Sequence, residues 1–199
     1  TYKSIIISIF ALTFILSLLI PHPWPRAFII MSVMSVVIGS ANIPKVDAAK
    51  IGFSVFAAAV PVSMIFLTGD SLINSMAVSA SGREISWMQW LIYMGPPALV
   101  VSIITCFLIL ILFKPSKEIK IKKEEIKEKL RLLGPLTNKE KRTLIWLGAA
   151  ITLWLTDSVH GIDIGWITLF IAMLMSFPVL GEVLEPKQWA DIPLNVLMF

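Results

Sequence analysis

The chain has 199 residues, 57% of them hydrophobic and 15% charged, against about 45–50% and about 25% in soluble domains, which argues against a water-soluble fold. Formal net charge is +4, but eleven of the seventeen Lys and Arg fall between Lys114 and Arg142. The basic balance therefore belongs to one loop and excludes a nucleic-acid partner. The single cysteine, Cys106, sits in an apolar run and excludes an intrachain disulfide or a cysteine-cluster metal site.

The chain opens at Thr1 without Met or a cleavage pattern, and closes at Val196-Leu197-Met198-Phe199 inside a rising apolar run. It reads as a piece of a longer protein. Ile5 to Ile20 is apolar and halts at Pro21-His22-Pro23-Trp24-Pro25-Arg26, and Ala27 to Ile38 is a second, shorter apolar stretch. A bilayer-spanning helix needs about 20 apolar residues, so 5–38 is predicted to form a re-entrant helical hairpin with a proline-rich tip. Proline is tolerated there because the first helical position has no intrahelical use for its N–H.

Lys45, Asp47 and Lys50 mark a polar boundary, after which apolar residues run from Ile51 to Ala80, interrupted by Thr68-Gly69-Asp70-Ser71 and Asn74. One straight helix of that length would measure about 45 Å against a hydrocarbon core of about 30 Å. A helix spanning 51–81 and broken at Leu67 to Asn74 resolves the excess. Backbone unwinds at membrane depth only where protein or a wet cavity receives it, so the break itself points to a site.

Trp87, Trp90 and Tyr93 read as an interfacial aromatic belt ahead of a conventional transmembrane helix over 88–113. The segment 114–142 follows as a cytoplasmic linker by the positive-inside rule. Within it Ile119, Ile126, Leu130 and Leu133 share one helical face, and Glu118/Lys122 and Glu125/Lys129 form i,i+4 pairs, the pattern of an amphipathic helix on the membrane surface or of a solvated connector. Next come a span from Thr143 to Thr156, an outer loop from Asp157 to Asp163, and a return from Ile164 to Leu180. The expected class is an all-α, multi-pass integral membrane protein with the lipid bilayer as its first partner.

An Asp at a helix centre costs on the order of 2.5–3.5 kcal/mol on insertion scales, which makes Asp70 the most informative residue. It either caps the second half-helix or takes part in binding a cation or proton. His22 can titrate near neutral pH, or serve as an ordinary hydrogen-bonded residue. Arg26 can hold a carboxylate bidentately at the start of the second arm, or make a structural pair.

The alternation of hairpin and broken helix, the Leu67-Thr68-Gly69 start of the unwound stretch, the phrase from Leu133 to Lys141 and the phrase from Trp189 to Leu197 together resemble the divalent anion:sodium symporters, a family of carboxylate and sulfate transporters within a wider ion transporter superfamily. The resemblance implies an inverted-repeat fold in a homodimer, with substrate and Na+ held between hairpin tips and unwound stretches. Residues 1–113 would be most of the first repeat and 143–199 the start of the second. Carried onto this chain, it implies substrate and ion contacts at His22, Trp24, Arg26, Thr68, Gly69, Asp70, Ser71 and Asn74. A Na+ site at Thr68, Gly69 and Asp70 is implied, with no other metal or cofactor and no catalytic residue. The family's tip usually carries Ser-Asn-Thr; here His22-Pro23-Trp24 stands in its place, with Pro21 and Arg26 agreeing.

The function expected is secondary active transport of a small anion, a di- or tricarboxylate or related oxyanion, coupled to Na+, H+ or counter-substrate. The competing readings are a cation/proton antiporter or arsenite-type permease of the same superfamily, a membrane scaffold, and an intramembrane aspartyl protease. The protease needs two carboxylates sharing a proton, yet Asp157, Asp163 and Asp191 fall at membrane edges.

Overall fold

Few polar side chains interrupt the apolar runs, and what ends each helix is local chemistry that the sequence supplies. The computed structural model describes residues 1–116, 134–177 and 183. Helix α1 (Tyr2–Leu19) starts with the Thr1 side chain accepting from the Ser4 N–H. Helix α2 (Pro23–Ser40) starts at His22, whose Nδ1 accepts from the Trp24 N–H at 3.3 Å, with proline in the first turn. The two arms thus run 18 residues each, longer than the apolar stretches alone indicate.

Helix α3 (Lys45–Ser63) takes the charged boundary into its first turns. Asp47 is fully buried: its carboxylate pairs with Lys50 Nζ at 2.8 Å and accepts from the Ser116 N–H and hydroxyl, while Lys50 also donates to the Lys114 carbonyl. This cluster ties the start of α3 to the residues just after α5. The helix read as broken at Leu67 to Asn74 is interrupted earlier, over 64–70. Pro61 removes an amide hydrogen from the last turn of α3, Met64 and Ile65 close tight turns back to Pro61 and Val62, and Phe66 is extended. A 3-10 turn, Leu67–Asp70, leads into α4 (Ser71–Ser81), which ends at Gly82 in the left-handed conformation.

Helix α5 (Trp87–Leu112) opens with a capping box between Ser86 and Gln89 and continues through Pro96 and Pro97. In this first unit α3 is central and packs on α1, α2 and α5. Its core includes Ile6, Ile9, Ile30, Ile51, Val55 and Val62. Between apolar helices in lipid such packing works through van der Waals contact, since burial from hydrocarbon gains nothing hydrophobic.

A second unit contains α6 (Asn138–Leu155), α7 (Asp157–His160) and α8 (Ile164–Ser176). Helix α6 begins with a Thr137/Glu140 capping box, so the linker read as 114–142 gives up its last five residues to this helix. Most of that linker's amphipathic face, and the phrase from Trp189 to Leu197, lie outside the described residues. Among the described residues there is helix and no strand, and α1, α2, α3 and α5 are long and apolar enough to cross a membrane.

Candidate functional site

The break is closed from two sides by donors aimed at its backbone. From α4, the Asn74 side-chain amide donates to the carbonyl oxygens of Ser63, Phe66 and Leu67 at 3.1, 3.0 and 3.3 Å. An amide nitrogen is required there because all three partners are acceptors. From α5, Trp87 Nε1 donates to Thr68 Oγ1 at 3.1 Å and Trp90 Nε1 donates to the Met64 carbonyl at 3.1 Å. The Phe66 ring stacks on Trp87 with centroids 5.7 Å apart. Trp87 and Trp90 are buried, so the aromatic belt expected at this point is a clamp on the break; only Tyr93 of the three is exposed. Gly69 has no room for a side chain, since a Cβ would be driven into the Ser63 carbonyl oxygen, with the Ser63 Cα 3.2 Å away.

Asp70 is buried and caps α4, its Oδ1 accepting from the Ile73 N–H at 3.2 Å. Beside it, the N–H and hydroxyl of Ser71 both donate to the Pro21 carbonyl, at 3.1 and 3.0 Å, which fastens the start of α4 to the hairpin tip. Arg26 is 0% exposed. Its Nη1 donates to the Ile20 carbonyl at 3.1 Å, while Nε and Nη2 have no partner among the described residues. Arg26 and Asp70 form no ion pair within 4.0 Å among the described residues.

A cavity of about 410 Å³ lies where α2, α3 and α4 meet, lined by His22, Pro23, Trp24, Phe56, Ser63 and Asp70, among others. Trp24 packs against Phe28 and Phe56 with ring centroids 6.5 and 6.0 Å away. His22, Trp24 and Asp70 are thus brought together on one wall. Ser71 joins tip to helix, while the Asn74 amide, the Thr68 hydroxyl and the Gly69 N–H make their bonds inside the break. Arg26 is buried and is not one of the lining residues. The α2 N-terminus is a poor anion cradle by itself, because Pro23 and Pro25 carry no N–H and His22 already takes that of Trp24.

Ser63 and Phe56 line the cavity without having been singled out in the sequence, and Trp87 and Trp90, read there as an interfacial belt, bond to the break. The i,i+3 spacing of the two tryptophans, which puts them on one helical face, was the available signal.

The model of the sodium:sulfate symporter transmembrane region matches residues 2–195. A membrane protein of Cupriavidus necator is 25% identical over 186 residues, 90% of this chain and 36% of that protein. An L-tartrate/succinate antiporter of Escherichia coli is 25% identical over 131 residues, 63% of this chain and 27% of its own. The chloroplastic dicarboxylate transporter 1 of Spinacia oleracea is 30% identical over 114 residues, 54% of this chain and 20% of its own. The chain therefore spans about a third or less of the length of these curated relatives.

Proposed function

Because the chain belongs to the sodium:sulfate symporter transmembrane family, a family of integral, multi-pass membrane transporters and not of enzymes, we propose that the protein it forms part of carries a small anion across the membrane by secondary active transport. Di- and tricarboxylates such as succinate and tartrate, or a related oxyanion, are the substrate class, in line with the names of two relatives, an L-tartrate/succinate antiporter and a dicarboxylate transporter. The observation that carries this reading is Arg26, a buried guanidinium with two unspent donors at the junction of hairpin tip and break. A bidentate carboxylate is what such a fork binds. The two donors without a partner, Nε and Nη2, are the pair a carboxylate would take, and Nη1 keeps the Ile20 carbonyl.

Na+ is the first choice of coupling ion, held by oxygens of Thr68, Gly69 and Asp70; H+ or counter-substrate are the others. The α1–α2 pair is read as a re-entrant hairpin that moves together with α3–α4, and the full-length protein as a homodimer with a second, inverted repeat.

The test is uptake by the full-length protein in proteoliposomes. Arg26→Ala should weaken anion affinity about tenfold or more, as loss of one charged hydrogen-bonding partner implies. Asp70→Asn should chiefly alter dependence on the coupling cation or pH. Wild-type kinetics in both folded variants would remove these residues from the site. Asp70 is, among the described residues, the one carboxylate lining the cavity, and this favours a second reading, cation/proton antiport. Cation-driven proton flux without any anion uptake in the same liposomes would select it.

A further inference from the structure

We infer that Asn74 fills, inside the break, the position that a bound cation would otherwise have to fill, so that the unwound backbone stands without a metal ion. Three carbonyl oxygens, of Ser63, Phe66 and Leu67, converge on the Asn74 amide nitrogen at 3.0–3.3 Å. Asn74 is 2% exposed and the three carbonyl-bearing residues 3–7%. Oxygens gathered this closely in a dry site repel one another unless something positive sits between them. Ions held by carbonyl rings meet that need with charge; here two N–H dipoles meet it, tethered to α4.

The consequence concerns what a cation does in this protein. If the amide already satisfies the carbonyls at the end of α3, sodium is not what holds the break open. Any cation at the neighbouring Thr68, Gly69 and Asp70 must then be held by oxygens other than these three. The half-helices α3 and α4 keep their geometry whether the site is loaded or empty. This inference holds whichever substrate is carried, and its test reads stability and not uptake.

Asn74→Asp in the purified full-length protein replaces the donor with an isosteric acceptor. A carboxylate among three carbonyls repels them, yet the four oxygens together make a hard-cation site. Thermal unfolding in choline chloride should show a midpoint about 5–10 °C below wild type, scaled from about 2–4 °C per kcal/mol. Na+ at equal ionic strength should return at least about half of that loss, beyond any Na+ effect on wild type. Acidification should also restore stability relative to wild type, because a protonated carboxyl regains one O–H donor. Among the described residues the other titratable or charged groups around this junction are His22, Asp70 and Arg26, present in both proteins, so the difference between variant and wild type isolates position 74. A midpoint within about 1 °C of wild type, or the same loss in both salts and at both acidities, overturns the inference. Should the carboxylate variant fail to accumulate, Asn74→Ser, with one neutral donor, should unfold between wild type and Asn74→Val. Equal midpoints for the Ser and Val variants also overturn it.

Discussion

The break and the hairpin tip lie side by side, yet they are finished to different degrees. At the break, Asn74, Trp87 and Trp90 meet the freed backbone and hydroxyl oxygens with donors, as a polar group in a membrane interior requires. At the tip, the Arg26 guanidinium is equally buried, but two of its donors have no partner among the described residues. The prolines flanking Trp24 also remove two of the N–H groups of the α2 N-terminus, and His22 takes that of Trp24. On the function proposed above, the donors at the break are its support and Arg26 is the binding group. The proposed function reads this difference as rigidity at the break and ligand response at the tip.

The contrast is broken most severely at Gly69. Gly69→Ala drives a Cβ into the Ser63 carbonyl, a backbone obstacle that cannot rotate away. It should destabilise by about 3 kcal/mol or more, read as loss of folded protein in detergent-solubilised membranes. Trp87→Phe keeps the ring stacked on Phe66 but removes the bond to Thr68, which should cost about 1–2 kcal/mol by thermal unfolding. A null result there would mean that α5 does not clamp the break. Ser71→Ala removes one of two bonds to the Pro21 carbonyl and keeps the backbone one. The expected loss is about 0.5–1 kcal/mol, and a larger one would show that tip and break are fastened chiefly by this hydroxyl.

Much of this division was legible in the sequence. The run from Ile51 to Ala80 is too long to be one span, and the prolines around His22 mark a tip, because both signals are carried by side-chain chemistry. The position of the break was misread by several residues toward Asn74, since Asn74 works from inside α4 on carbonyls that belong to Ser63, Phe66 and Leu67. Carbonyls are the same at every residue, so no letter of the sequence reveals which will converge. Trp87 and Trp90 at the mouth of a span match an interfacial belt equally well, and only the packing of α5 on the break decides otherwise. Asp47 was read as boundary polarity for the same reason, as its partner Ser116 lies 69 residues away. Arg26 was read as a cation at the start of the second arm, but its full burial follows from how α1, α2 and α3 pack.

Ligand-dependent stability of an Arg26 variant tests the difference between tip and break most directly. Arg26→Gln should leave the unliganded full-length protein as stable as wild type or more so, because a buried, under-partnered charge is costly to keep. Wild type should gain stability on adding a dicarboxylate, by about 2.7 kcal/mol at a hundredfold excess over Kd, and Arg26→Gln should gain little or none at the same concentration. An Arg26→Gln protein that is stabilised by the dicarboxylate as fully as wild type would contradict the assignment of the tip as the ligand-responsive half.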